Sequence, residues 1–281
     1  MQMIEKVSAM QRWSETERRA GRSIAFVPTM GFLHEGHLSL VRDAGKRGDR
    51  LVASIFVNPT QFGPQEDYGA YPRDFERDRR LLDEAGVDVL FYPAAAEIYP
   101  PGFEARLEIK ELSAPLCGAF RPGHFSGVAT VVAKLFNIVR PHVAVFGCKD
   151  YQQLQIIRRL ALDLNFDIEI VGHPIVREAD GLAMSSRNAY LNPEERKAAL
   201  CLSRSLRCAE ELVRRGERRA SAIVDAARAE IAREALARVE YLSLYDPDSL
   251  RAIDQVENAA LLAMAVRIGR ARLIDNIILK P

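Results

Sequence analysis

The chain predicts an α/β protein: a Rossmann-like, doubly wound parallel sheet followed by a smaller α+β C-terminal domain. Three observations predict it. Short apolar runs alternate with amphipathic helical stretches through the first two thirds of the 281 residues. Those runs are near-continuous in apolar residues, as strands covered on both faces are. After Arg187 the composition shifts to Arg/Ala/Leu-rich helical stretches and then a hairpin pattern.

Each element follows from its own residues. Ile24–Val27 reads as a buried strand, broken by Pro28-Thr29-Met30-Gly31. His37–Ala44 has helical periodicity through Leu38, Leu40, Val41 and Ala44. Arg50–Val57 is a second strand, Phe75–Ala85 an amphipathic helix and Val87–Tyr92 a third strand closing on Pro93. Gly127–Val139 reads as a buried helix, Val143–Gly147 as a short apolar strand, Tyr151–Leu162 as a helix and Ile168–Val171 as the start of another strand. Asn192-Pro193 is a helix start, with the cap at Asn192 and proline at the first helical position. That helix runs to about Arg215, and a second covers about Ala220 to Arg238. Their many arginines are expected on a solvated face. Val239–Tyr245 reads as a strand, and Leu261–Val266 with Arg272–Ile278 flank Gly269 as a hairpin. The boundary falls near Ile175-Val176, giving domains of 1–175 and 176–281.

Bulk properties exclude several classes. With 39 basic and 38 acidic residues, the net charge of +1 leaves no broad basic footprint for nucleic acid or membrane. The polar stretch Met1–Arg22 has no apolar leader, and nothing approaches a membrane span. The four cysteines, Cys117, Cys148, Cys201 and Cys208, show neither a C-x-x-C pair nor zinc spacing. Free thiols fit a reducing, cytoplasmic setting.

His34-Glu35-Gly36-His37 is the most informative stretch. It opens a helix, where free N–H groups and the positive dipole end favour a phosphate. Gly36 lets the backbone approach a ligand, and two imidazoles there can donate hydrogen bonds to developing negative charge. A metal pair or a satisfied surface pair remain the alternatives; Glu35 points to another helix face, away from any third-ligand position.

In an open parallel sheet, ligands bind beyond the carboxyl ends of the strands. Polar clusters fall at several such ends: Met30–His37, Asn58–Gly63, Gly147–Asp150, and Val176 followed by Met184–Arg187. Any one of them could be an ordinary turn, loop or cap. Lys149, Ser185, Ser186 and Arg187 have the donors and charge for phosphates. The neutral amides Gln61 and Gln153 could hold a hydroxy-carboxylate without the salt bridge that would blunt it as a nucleophile. Arg121, Gly123 and His124 form another polar turn, while His142 and His173 flank strands and read as structural.

These residues resemble a family. His34-Glu35-Gly36-His37 is an H-x-G-H element of the nucleotidylyltransferase and class I aminoacyl-tRNA synthetase superfamily. Pro28–Gly31, Phe56–Gly63, Tyr71-Pro72-Arg73, Arg121–Phe125, Lys149–Leu154 and Arg177–Asn188 look like the pantothenate synthetase family, in that family's order, across residues 24 to 192. The resemblance implies ATP-dependent ligation of pantoate and β-alanine through a pantoyl adenylate, releasing pyrophosphate and then AMP. It implies ATP contacts from Met30, Gly31, Phe32, Leu33, His34, Glu35, Gly36 and His37, and from Gly147, Cys148, Lys149, Asp150, Val176, Met184, Ser185, Ser186 and Arg187. The catalytic group would be His37, the proton donor, with His34, Lys149 and Arg187. Gln61, Gln153 and Asn58 would bind pantoate, and Gln61 also β-alanine. Mg²⁺ would accompany the nucleotide, with Asp78 as a candidate ligand. The resemblance also implies a homodimer; separately, the need to keep water from a labile acyl adenylate suggests a mobile Gly63–Pro72 segment and a C-terminal domain that closes as a lid. Three positions depart from the family's pattern: Cys148 where Glu is common, Phe32 where Asn is frequent, and Ser126 where Arg is frequent. Rival readings are an adenylyltransferase that leaves AMP on its product, a synthetase relative acting on tRNA, and a non-enzymatic nucleotide-binding scaffold.

Overall fold

The computed structural model describes residues 1–64 and 66–281; residue 65, inside the Gly63–Pro72 segment, lies outside the described residues. The N-terminal stretch folds into β1 (Gln2–Ile4) and α1 (Val7–Arg19). The buried positions of α1 are Met10, Ser14 and Glu17. They share one helix face, but only one is apolar, so hydrophobic periodicity does not reveal the helix. β2 (Ile24–Thr29), α2 (Glu35–Ala44), β3 (Arg50–Ile55), α3 (Phe75–Glu84) and β4 (Val89–Phe91) follow. The single-turn helices α4 (Ala95–Ile98), α5 (Lys110–Ser113) and α6 (Cys117–Phe120) lead into α7 (His124–Val139). Next come β5 (Val143–Gly147), α8 (Tyr151–Asp163) and β6 (Glu169–His173).

These six strands form one sheet in the order β1-β4-β3-β2-β5-β6, and every pairing is parallel. The chain works outward from β2 through β3 to β4, then returns to place β5 on the other side of β2. The order therefore reverses between β2 and β5, which opens a crevice beyond their carboxyl ends. Alternate side chains serve the two faces. Ala25, Val27, Leu51, Ala53, Val143 and Val145 pack with Val41 and Ala44 of α2 and Leu82 of α3. On the other face Phe136 of α7 meets the ring of Phe146 at 6.4 Å.

The remaining elements are α9 (Pro193–Arg214), α10 (Ala220–Ile231), β7 (Ala237–Tyr245), β8 (Ala260–Ile268) and β9 (Ala271–Leu279). The three strands form an antiparallel sheet. Leu202 and Leu206 of α9 and Ile223 and Ile231 of α10 share a core with Leu242, Leu262, Met264 and Leu273. Asn192 caps α9 as its sequence requires: its side chain accepts from Glu195 N at 2.9 Å and Glu195 returns a bond to Asn192 N. α10 ends at Ile231 rather than near Arg238. Ala237, Arg238 and Val239 pair with Ile268, Arg267 and Val266, so strand pairing overrides the helical propensity of the stretch. The arginines are mostly ion-paired: Arg204 spans Glu230 and Glu234, and Arg196 spans Glu178 and Asp180.

The chain divides into two compact units. The first comprises Met1–Lys110, Arg121–Cys148 and Gln153–Pro174; the second comprises Glu111–Phe120, Lys149–Gln152 and Ile175–Pro281. The main division lies between Pro174 and Ile175, but two short segments that precede it in the chain group with the C-terminal unit.

Candidate active site

The first unit carries the loops after β2, β3 and β5. Thr29, the last residue of β2, donates its hydroxyl to Ser54 O at 2.8 Å and accepts from Gly31 N at 3.1 Å. The backbone then turns through two left-handed residues, Gly31 at φ 82° and Phe32 at φ 50°. Asn tolerates that region far better than Phe, which gives the family's usual Asn at this position a backbone reason. Asp78 of α3 holds the turn: its Oδ2 accepts from Phe32 N at 2.6 Å and its Oδ1 from Leu33 N at 2.7 Å. Asp78 is buried, and burial pushes its pKa up against the pull of those two bonds. With both oxygens on backbone amides, Asp78 anchors the loop. Leu33 is buried in the sheet core, so only its backbone could face a nucleotide.

Two histidines cap α2. His34, the N-cap residue, accepts from Gly36 N at its Nδ1 (3.1 Å), and His37 Nδ1 accepts from His34 N at 3.3 Å. The rings sit 4.0 Å apart, tilted by 37°. An Nδ1 that accepts a hydrogen bond carries no proton, so each neutral ring keeps its proton on Nε2. Each imidazole is then a donor through Nε2. Glu35 is exposed and paired with Arg42, as its place on another helix face requires.

The loop after β3 is set by Asn58, which is 1% exposed. Its Oδ1 accepts from Thr60 N, from the Thr60 hydroxyl and from Tyr99 OH, the last at 2.8 Å. Its Nδ2 donates to Gly127 O and to Gln61 Oε1, both at 3.1 Å. Asn58 therefore positions Gln61, its side-chain oxygen and amide being engaged within the protein. Gln61 Nε2 points to Met30 Sδ at 3.0 Å, so the β2 and β3 loops meet there. His124 and Arg121 hold Gln61 from behind: His124 Nδ1 lies 2.8 Å from Gln61 O and its Nε2 lies 3.0 Å from Arg121 Nη1. An arginine can only donate, so His124 is fixed as the Nδ1–H tautomer. Its role is to support Gln61. Gly127 has no room for a side chain, since a Cβ there would stand 2.3 Å from Thr60 O.

After β5, Gly147 and Cys148 end the first unit's share of this loop, and Gln153 is half-buried on α8. Burial pushes the Cys148 thiol up, so a neutral group stands where the family commonly has Glu. Ser126 lies half-buried in α7, and nothing in the structure explains its departure from Arg. His142 accepts from Ile24 N at 2.9 Å, and burial followed by the Arg18 charge lowers its pKa; its role is structural, as is that of His173, paired with Asp43 at 3.2 Å.

The second unit carries Lys149, Asp150, Val176 and Met184–Arg187. Met184 N donates to Val176 O at 3.0 Å, and Arg177 bridges Ala183, so Val176 and Met184 are partners in one small hairpin. Ser185 caps the turn Ser186–Tyr190 by accepting from Arg187 N at 3.3 Å. Ser186 is buried, and Met184, Ser185, Arg187 and Lys149 are half-buried. Arg177, Arg196, Asp275 and Asn276, which the sequence does not mark as site residues, anchor these segments. Their signal is faint: Asp275 and Asn276 are two polar residues in an otherwise apolar strand, and Arg177 and Arg196 read as ordinary half-exposed arginines. Among the described residues no group of three or more His, Cys, Asp and Glu could hold a metal.

The comparisons with known proteins match this arrangement over its whole length. The family model described as pantoate-beta-alanine ligase matches residues 2–278. The chain belongs to the pantoate-beta-alanine ligase family. A pantothenate synthetase of Citrifermentans bemidjiense is 57% identical over 279 residues, covering 99% of each chain. One of Thermotoga neapolitana is 54% identical over 279 residues, covering 99% of this chain and 100% of its own. Among solved structures, a pantothenate synthetase from Thermus thermophilus superposes with a TM-score of 0.95 at 46% identity, over 100% of both chains. The pantoate-beta-alanine ligase of Francisella tularensis, complexed with beta-gamma ATP and beta-alanine, gives 0.82 at 34% identity over 99% and 97%. The activity of this ligase is the ATP-dependent joining of pantoate and β-alanine to give pantothenate.

Proposed function

We propose that the residues described above divide this reaction as follows. The Nε2 protons of His34 and His37, at the positive end of the α2 dipole, receive the nucleotide's phosphates, with His37 the proton donor. Lys149, Ser185, Ser186 and Arg187 take the charge that builds on the pyrophosphate. Gln61 and Gln153 hold pantoate so that its carboxylate attacks the α-phosphorus. β-Alanine then attacks the acyl carbon of the adenylate and AMP leaves. Gln61 is suited to both steps: Asn58 occupies its Oε1 and one Nε2–H points at the weak acceptor Met30 Sδ, so its second Nε2–H can donate to a carboxylate or hydroxyl. Mg²⁺ would accompany the triphosphate and offset its charge, while Asp78, which holds Phe32 and Leu33, would keep the neighbouring turn in place.

The observation that supports this reading most is the pair of capping histidines, whose hydrogen bonds leave both as donors through Nε2. The test is product analysis with ATP and Mg²⁺, adding pantoate and β-alanine separately and together. Pyrophosphate with pantoate alone, and AMP with both, are expected. AMP retained on the product, or no dependence on β-alanine, would overturn the assignment. The reading includes a homodimer in the cytoplasm, to be checked by sedimentation and by fractionation of the source cells. It also includes a C-terminal unit that acts as a lid, excluding water from the labile adenylate. Solution scattering should then show compaction on adding ATP and pantoate; an unchanged profile would remove the lid.

A further inference from the structure

Asp275 and Asn276 are an odd pair for the middle of a strand. They sit on β9, among Leu273, Ile274, Ile277 and Ile278, and are only 2% and 5% exposed. A buried carboxylate and a buried amide persist only where their partners matter. Successive residues of a strand face opposite sides of the sheet. Asp275 therefore shares the face of Leu273 and Ile277, which packs with α9 and α10, while Asn276 shares the face of Ile278, which packs with Leu116, Leu261 and Tyr151.

On its own face, Asp275 accepts two bonds from Arg177, at 2.7 and 2.9 Å. Arg177 also donates to Gly181 O at 3.1 Å and closes the hairpin that runs into Met184–Arg187. On the other face, Asn276 Nδ2 donates to Lys149 O at 2.9 Å. The Lys149–Gln152 segment is also tied down at its far end. Gln152 accepts from Cys117 N at 3.0 Å and donates to Leu112 O and Pro115 O at 2.9 and 2.7 Å. These bonds account for the grouping of this short segment with the second unit although β5 and most of α8 belong to the first.

We propose that Asp275 and Asn276 are positioning residues for the triphosphate. From the two faces of one strand they fix the loop that carries Ser185–Arg187 and the backbone that carries Lys149. The two cationic segments, separated in sequence, are thereby held to one rigid reference. This proposal rests on the reading that Lys149 and Ser185–Arg187 bind the nucleotide's phosphates.

The test uses the full chain with Asp275→Asn and Asn276→Leu, and with Arg204→Ala as a control that removes an ion-pair anchor of the same unit elsewhere. In the pantoate-dependent release of pyrophosphate, each site variant should raise the KM for ATP by about tenfold or more, the scale of a small misplacement of binding groups. Arg204→Ala should keep the parent KM even if its melting temperature falls as far. Amide exchange should quicken at 149–152 in Asn276→Leu and at 177–187 in Asp275→Asn, each without the other. If Asn276→Leu fails to fold, Asn276→Gln, which keeps the amide but displaces it, takes its place. An unchanged KM in folded variants, or an equal rise in Arg204→Ala, overturns the proposal. A parent that releases no pyrophosphate sinks the functional reading instead, and the exchange pattern still decides whether the two residues position these segments.

Discussion

His34 and His37 use Nδ1 to cap their own helix, and that hydrogen-bonding choice sets their chemistry. The sequence places two imidazoles at a helix start, but not which nitrogen faces outward. Replacing His37 with Ala should cut the rate of pyrophosphate release by about a hundredfold, the scale of a lost donor to developing charge. Geometry sharpens the test. The amide nitrogen of Gln reaches the position of Nε2, whereas that of Asn reaches only the position of Nδ1. His37→Gln should therefore retain more activity than His37→Asn, and the reverse order would place the donor at the wrong nitrogen. From the sequence Asp78 is an acidic residue in a helix and a candidate Mg²⁺ ligand; no spacing marks it as a turn anchor. Its two backbone bonds make it the keystone of the Gly31–Leu33 turn. Asp78→Asn strands one buried N–H opposite another donor, and should cost about 1–3 kcal/mol in urea unfolding whether or not Mg²⁺ is present. A loss confined to Mg²⁺-containing buffer would instead restore it as a metal ligand.

Helix α1 shows why one element escaped the sequence. Its buried face presents Glu17, whose carboxylate pairs with Arg22 and with Arg50 at the start of β3. The Arg22 bond, chiefly, and the Arg50 bond hold its pKa down at about 2, against the opposing effect of burial, from an ordinary 4.5. The sign follows from the depressed folded value: the stabilisation is complete above about 4.5 and is lost as the pH falls toward 2. The parent should lose stability between about pH 4.5 and about pH 2 more steeply than Glu17→Gln, compared by urea midpoints; equal slopes would show that this pair does not tie α1 down. Elsewhere, elements with strong apolar patterns lie within a few residues of their sequence bounds: β5 spans Val143–Gly147, and α9 begins at Pro193 behind its Asn192 cap. The boundary between α10 and β7 differs because Ala237 and Arg238 are helix formers that find a strand partner.

The division of the chain into units is a property of the whole molecule. Leu116 and Tyr151 precede Ile175 in sequence, yet they pack with Leu250 and Leu261. A fragment of residues 175–281 lacks both. It should expose the apolar face of its sheet, bind a hydrophobic dye and unfold with less cooperativity than the same unit does in the full chain. A fragment that melts sharply and binds no dye would show that the two inserted segments are dispensable.

By itself the sequence determined the fold class, the order of the main strands and helices, the capping histidines and the family. These are written in local periodicity, in caps and in contiguous motifs, which neighbouring residues decide among themselves. Only the tertiary structure decided that Asn58 and His124 serve Gln61, that Asp78 grips a turn, that Lys149 groups with the second unit and that Asp275 and Asn276 hold two distant segments. Each of those facts is a hydrogen bond between residues that folding brings together, and a buried polar atom takes its meaning from the partner it finds there.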